Sequence, residues 1–347
     1  MDLPASHLQE VQLLRRQYLQ LVEPRKMRLP SHCILRDPAF QQCLFRSIFH
    51  SNSQSEGSRP PKRYLRRVLK HVIDSILESC GPSCSSSSDG TTCDDPELDE
   101  DLLELYTQRQ APSSGAQDAL EPVPVTYIPS LPRAPESEEI AVTIVETPNI
   151  ISGQGTTGLR TWEAALALGE YMCTSHGIER GFLHNVRSLL ELGTGTGLCA
   201  MLAAKLGVEE VYATDGDENV IASLRENVAR NKLETQIKPS VLLWASNPEY
   251  ANGVDLVIGA DVTYEPSSIS YLVEEIAARL KAKPQLRVVL SATIRNVETY
   301  EGFRKACAKS HLRLQETDWV SPEPPVFFYF PQTPIKIVEV TLALETM

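Results

Sequence analysis

Three acids and one run of glycines carry most of the chemistry legible in this sequence. Glu191 opens the pattern E-x-G-x-G-x-G, with glycines at Gly193, Gly195 and Gly197, and Asp215 closes the next apolar run, Val211 to Thr214. Leu189 to Leu192 reads as a strand, Leu198 to Leu206 as an apolar helix and Val211 to Thr214 as a second strand. That succession is a βαβ mononucleotide-binding unit. Glycines at such a turn let backbone N–H groups crowd a ligand at the positive end of a helix. An acid at the tip of the second strand can accept hydrogen bonds from both ribose hydroxyls. The G-x-G-x-G spacing departs from the G-x-G-x-x-G of dinucleotide sites, which disfavours a nicotinamide oxidoreductase.

A second group lies farther along. The apolar run 254–262 leads into Ala260-Asp261-Val262-Thr263-Tyr264, where Ala260 permits close backbone approach and Asp261 needs a partner if buried. Trp244, at the end of an expected strand 237–244, is suited either to lie against an adenine face or to plug the sheet edge. Ligands in open α/β sheets sit outside the carboxyl ends of the strands, so Gly193–Gly195, Asp215, Trp244 and Ala260–Tyr264 are candidates for one site. Upstream, GQGTTGLRTWEAALALGEYM (153–172) reads as a glycine-rich turn entering a helix with Trp162 in its first turn. That indole is either core or a cap on the pocket.

The elements that must hold these residues follow from periodicity. Helices are expected at 218–233, 267–282 and 299–311, and strands at 237–244, 254–262, 286–294, 313–320 and 335–343. Strands alternating with helices demand a mostly parallel sheet covered on both faces. The last two strands are joined by a proline-rich stretch, SPEPPVFFYFPQTP, too short for a helical crossover, so the final strand should lie antiparallel beside its predecessor. Ahead of the sheet, apolar residues at helical spacing predict helices over 8–22, 38–50, 62–80 and 97–108. Residues 81–95 are serine-rich and read as a disordered insert, 111–137 as a linker, and 138–147 alternate like a strand. The expected organisation is an N-terminal helical module over 1–110, a linker over 111–137 and an α/β domain over 138–347.

Composition narrows the function classes. The 347 residues carry a net charge of −12, which argues against direct nucleic-acid binding across the surface. Residues 1–80 hold 13 Lys and Arg against 7 Asp and Glu, a net of +6, which leaves −18 for the rest. A basic head on an acidic body suits a polar macromolecular partner or, equally, ordinary solvated helix faces. No apolar run approaches about 18 residues, so no membrane association, a soluble chain and reduced thiols are expected. Cys80, Cys84 and Cys93 are close together but have no histidine nearby, and no metal is expected.

Taken together, the E-x-G-x-G-x-G turn, Trp244, N-V-A-R-N (227–231) and D-V-T-Y (261–264) resemble the seven-β-strand (class I) protein-lysine methyltransferases. GQGTTGLRTWEAALALGEYM, LLELGTGTGL and SATIRNVETYEGF are close to the branch acting on translation elongation factor 2. The resemblance implies a seven-stranded Rossmann-like sheet with a C-terminal antiparallel strand, and S-adenosyl-L-methionine as cofactor. It implies cofactor contact at Trp162, Glu191, Gly193, Thr194, Gly195, Gly197, Asp215, Trp244 and Ala260, with Asp261 and Tyr264 catalytic on the substrate side. It further implies a cytoplasmic, monomeric enzyme whose N-terminal module helps dock a large folded GTPase. D-V-T-Y is not the D/N-P-P-Y/F tetrad used on adenine or glutamine amide nitrogens, which disfavours those substrates. Methyl transfer is an in-line displacement in which the protein aligns the partners and excludes water, and a lysine acceptor must be neutral. Another protein lysine, a small amine, or a non-catalytic S-adenosylmethionine-binding module are the alternatives that pocket motifs leave open.

Overall fold

The computed structural model describes residues 3–50, 58–78, 97–108, 121–131, 138–147, 157–174, 181–247 and 249–343. The serine-rich stretch, with Cys80, Cys84 and Cys93, lies outside them, as does much of the expected linker. The chain divides into two compact units, Met1–Tyr127 and Ile128–Met347. Among the described residues no helix is long and apolar enough to cross a membrane.

The first unit contains α1 (Ala5–Leu19), α2 (His32–Leu35), α3 (Pro38–Leu44), α4 (Lys62–Leu77), α5 (Glu100–Gln108) and β1 (Val123–Tyr127); α3 runs into a π-helical turn at Phe45–Phe49. Asp37 caps α3 by accepting from the Ala39 N–H, ahead of Pro38 at the first helical position. The apolar stripes face inward as their period requires: Val11, Leu14 and Tyr18 of α1 and Leu65, Val68, Leu69, Val72 and Ile76 of α4 are buried. Leu8 and Leu77, at the ends of the two stripes, stay largely exposed. Tyr18 stacks on Tyr64 at 5.6 Å, and the Tyr64 hydroxyl donates to the Val22 carbonyl at 2.7 Å. Two buried glutamines satisfy both ends of their amides on backbone, as burial demands. Gln17 bonds the N–H and carbonyl of Arg28, and Gln41 the Glu97 carbonyl and Asp99 N–H.

The second unit runs β2 (Val142–Glu146), α6 (Glu163–Thr174), β3 (Ser188–Leu192), α7 (Leu198–Lys205), β4 (Glu210–Asp215), α8 (Glu218–Arg230) and β5 (Ile237–Val241). It continues through β6 (Leu256–Ala260), α9 (Ile269–Ala282), β7 (Arg287–Thr293), α10 (Val297–Lys309), β8 (Leu312–Asp318) and β9 (Ile335–Leu342). Seven strands form one sheet in the order β5-β4-β3-β6-β7-β9-β8. Strands β3 to β7 are mutually parallel, and β9 runs antiparallel to both β7 and β8. The expected antiparallel final strand is therefore present, inserted between its two predecessors. Strand order reverses beside β3, where Glu191 lies opposite Ala213 on one side and Ile258 on the other. Such a switch point is where the sheet opens a crevice.

Two element ends differ from expectation. β5 stops at Val241, so Trp244 lies in the following turn, and α6 begins at Glu163, leaving Trp162 just ahead of the helix. N-V-A-R-N acts as a clamp. Asn231 accepts from the Thr143 N–H (2.9 Å) and donates to its carbonyl (2.6 Å), while Asn227, one turn earlier, accepts from the Val145 N–H (2.9 Å). Two side-chain amides on α8 thus supply the backbone of β2 with the bonds a neighbouring strand would offer. Asn227→Ala would leave the Val145 N–H without this acceptor and should cost about 1–3 kcal/mol, measured by urea denaturation against wild type.

Candidate active site

The turn after β3 is held from within by Glu191. Its carboxylate is only 2% exposed and accepts from Thr194 Oγ1 (2.7 Å) and the Ala200 N–H (3.0 Å), tying the turn to the start of α7. Burial pushes Glu191 up to about 7 against those two hydrogen bonds, with Asp215 adding to the rise. Gly193, Gly195 and Gly197 have φ of +65°, +53° and +86°, a region that favours glycine. A Cβ on Gly193 would come 2.7 Å from Val262 Cγ1 and 3.6 Å from the Trp244 indole. A Cβ on Gly197 would collide with Leu224 Cδ1 on α8, so that glycine serves helix packing.

At the tip of β4, Asp215 accepts from the N–H groups of Gly195 (3.1 Å) and Asp217 (3.2 Å). Burial raises its pKa while these backbone donors oppose the rise. The turn carrying Trp244 is fixed through Ala245, whose N–H donates to Glu275 Oε2 at 2.8 Å. Glu275 is itself paired with Arg279 at 2.6 Å, both side chains almost wholly buried, and their mutual bond offsets the cost of burying either charge.

Beyond Ala260, Asp261 adopts φ +58°, a left-handed conformation uncommon for a residue with a Cβ. Backbone strain of this kind gathers at functional positions. Its N–H donates to the Ser291 carbonyl (2.7 Å), Oδ1 accepts from the Thr293 N–H (3.3 Å) and Oδ2 from Arg295 Nη1 (2.7 Å). Burial raises the Asp261 pKa, and Arg295 followed by Thr293 pull it back. The Arg295 guanidinium lies over the Trp162 ring at 4.9 Å and 3.7 Å from Glu163 Oε2. Arg160 also lies over that ring, at 4.8 Å, and 3.8 Å from Glu163.

The segment carrying Trp162 packs directly onto the glycine turn. Trp162 Nε1 donates to the Thr157 carbonyl at 3.0 Å, and the Thr161 hydroxyl bonds that of Thr196 at 2.8 Å. The Thr161 N–H donates to Glu146 Oε2 at 2.6 Å, and a Cβ on Gly158 would come 3.5 Å from Gly195 Cα. Tyr264, half exposed, places its hydroxyl 3.1 Å from Thr157 Oγ1.

These groups converge on one cleft of about 1150 Å³. Ten of the eleven residues singled out from the sequence line it: Trp162, Glu191, Gly193, Thr194, Gly195, Asp215, Trp244, Ala260, Asp261 and Tyr264; Gly197 does not. Trp244 and Trp162 both line the cleft wall. The sequence reading missed Thr157, Arg160, Glu163 and Arg295. For Arg295 a signal existed, since a buried Asp261 needs a partner and the end of the adjacent parallel strand, SATIRN, is where one would stand.

The donor set fits S-adenosyl-L-methionine. Glu191 is a buried acid whose lowering influences are all neutral donors, which suits a ligand bringing cationic charge. Asp215 is an acceptor at the β4 tip, Trp244 is a flat apolar wall, and Gly193 lets the turn pack against Val262 and the Trp244 indole where a Cβ would not fit.

Known proteins extend the comparison. A family model described as lysine methyltransferase matches residues 149–309. The chain is 35% identical to the protein-lysine N-methyltransferase EFM3 of Chaetomium thermophilum over 93% of its own length and 95% of that protein. It is 34% identical to EFM3 of Saccharomyces cerevisiae over 51% of this chain and 56% of the relative. It is also 33% identical to the protein-lysine N-methyltransferase EEF2KMT of Homo sapiens over 50% of this chain and 57% of the relative.

Two outcomes follow from the geometry. Glu191 has a folded-state pKa (about 7) above the ordinary 4.5, so it binds more protons folded than unfolded, and this contribution to stability falls as pH rises between those values. Glu191→Gln keeps a carbonyl acceptor and removes that loss. Its stability relative to wild type should climb through this window, by at most about 1.4 kcal/mol per pH unit, in cofactor-free denaturation curves. S-adenosylmethionine at about 100 times Kd should stabilise the wild-type fold by about 2.7 kcal/mol; in Asp215→Ala most of the corresponding thermal shift should disappear.

Proposed function

The chain belongs to the protein-lysine N-methyltransferases, and from that footing we propose that its acceptor is a lysine of translation elongation factor 2. The enzyme uses S-adenosyl-L-methionine, which supplies an electrophilic methyl group on a sulfonium sulfur. The acceptor assignment rests on the likeness of GQGTTGLRTWEAALALGEYM, LLELGTGTGL and SATIRNVETYEGF to the branch acting on that factor, and docking of a folded protein on the reach of the likeness to EFM3. It covers 93% of the chain and so extends beyond the α/β sheet into the helical N-terminal unit, which methyl transfer as such does not require. A basic N-terminal segment with exposed Lys62, Arg63, Arg67 and Lys70 on α4 suits recognition of a large folded partner. We assign residues 1–110 to that docking, and the enzyme itself to the cytoplasm as a monomer that binds no nucleic acid directly.

Within the cleft the division of labour follows position. Asp215 is assigned to the ribose diol, Trp244 to the purine face, and the Gly193–Gly195 turn with Glu191 beneath it to the amino-acid end. Trp162 and Ala260 close the cofactor side. Asp261 and Tyr264 are assigned to the acceptor: Asp261 orients the amine, and the Tyr264 hydroxyl, braced by Thr157, walls the approach to it.

Incubation of the purified protein with labelled S-adenosylmethionine and a whole-cell extract should label one band, elongation factor 2, at one lysine. Label on a different single protein would keep the chemistry and reject the acceptor. Asp261→Asn and Tyr264→Phe should keep the cofactor-induced thermal shift yet lose about tenfold or more in kcat/KM, equivalent to about 1.4 kcal/mol of transition-state stabilisation.

A further inference from the structure

We propose that Arg295 is a positioning residue of the transfer reaction: by neutralising Asp261 it lets the acceptor lysine sit beside that carboxylate as a free amine instead of an ammonium ion. The inference rests on the assignment of Asp261 to the acceptor side.

The chemistry sets the problem. The lysine nitrogen must first lose a proton to water; its lone pair then forms the N–CH3 bond while the S–CH3 bonding pair withdraws onto sulfur, and the N-methylammonium product sheds its own proton to water. A carboxylate within about 4–6 Å of the amine favours the ammonium form and so works against the first step. A buried acid at the acceptor end of the cleft is a hindrance unless its charge is already met.

Arg295 meets it. Its Nη1 lies 2.7 Å from Asp261 Oδ2, and a guanidinium does not deprotonate in proteins. The arginine is fixed by the Trp162 ring (4.9 Å), by Glu163 (3.7 Å) and by its own N–H bond to the Thr293 carbonyl (3.0 Å). The second Asp261 oxygen takes the Thr293 N–H, which leaves acceptor capacity on the carboxylate to orient an N–H of a neutral amine.

The surroundings reinforce the pairing. Ahead of and on α6, Arg160 and Glu163 form a second couple 3.8 Å apart. On the β6 side, Tyr264 bonds Thr157 and Glu265 bonds Ser267. From α10 comes the Tyr300 ring, and from the β3 and β4 ends come Glu191 and Asp215. Arg295 is the largest influence holding Asp261 ionised against its burial.

The experiment uses the full chain with Arg295→Met, Arg295→Lys and the double variant Arg295→Met/Asp261→Asn. The first readout is the pH dependence of labelled methyl transfer into whole-extract protein, which does not depend on which protein is the acceptor. Arg295→Met should move the acidic limb of kcat/KM up by about one pH unit, the effect of one opposite charge nearby. Its deficit should be about tenfold at neutral pH and narrow in alkali. Arg295→Lys should return the limb toward wild type, and the double variant should restore its position at a lower rate.

The second readout is cofactor-free thermal unfolding against pH. The Tm deficit of Arg295→Met should shrink as pH falls, because Asp261 can then protonate, and its pH dependence should vanish in the double variant. A rate loss equal at every pH would overturn the proposal. So would an unmoved limb alongside the expected unfolding pattern, since Asp261 would then be neutralised but remote from the amine. Should Arg295→Met fail to fold, the limb positions of Arg295→Lys and the double variant decide.

Discussion

The hydrogen bonds that Glu191 accepts from Thr194 Oγ1 and the Ala200 N–H are the constraint to which the rest of the cleft is referenced. A carboxylate inside a sheet is costly to keep ionised, yet here it joins a strand end, a glycine turn and the first turn of a helix through one side chain. With that turn fixed, the Gly195 N–H can hold Asp215, the indole of Trp244 can lean on Gly193, and Gly158 can pack against Gly195. Three separate segments therefore take their positions from one loop.

The two ends of the cleft handle charge differently. Glu191 is influenced by neutral donors and Asp215, and Asp215 by neutral donors and Asp217, so this end of the cleft, proposed for the cofactor, keeps an excess of acid. At the opposite end, Asp261 is matched by Arg295 and Glu163 by Arg160. One cavity thus holds an unbalanced acidic end and a charge-matched end, the contrast on which the proposed division into cofactor and acceptor sides draws.

The centre of the sheet was legible because β3, β6 and β7 are largely apolar, and the antiparallel final strand because fourteen proline-rich residues leave no room for a helix. What sequence could not separate was wall from strand. Val241 to Trp244 is one apolar run that begins at the last residue of β5, but Leu243 is 62% exposed and the strand has already ended. Nor could it separate glycines that line the cleft from one that faces a helix. Gly193 and Gly197 are equivalent in the motif, and only the position of Leu224 distinguishes them. N-V-A-R-N read as a family signature, although its visible work is to grip β2, a contact set by tertiary structure. Arg295 escaped notice for a similar reason: its pairing with Asp261 depends on β6 and β7 being neighbours, with Ala260 opposite Ser291.

The placement of β9 has a consequence for the chain as it is made. This strand comes last in sequence among the described residues, yet it fills the slot between β7 and β8, with Val288–Thr293 and Leu312–Asp318 both bonded to it. Strands β3 to β7, which bear the cleft, emerge from the ribosome earlier and can pair among themselves. Until residues 335–342 arrive, β7 presents an open edge and β8 has no strand to join, a condition that invites pairing with other chains. The half of the sheet that bears the cleft can thus form before the sheet is closed, and its final seam is made by a strand translated after both of its neighbours.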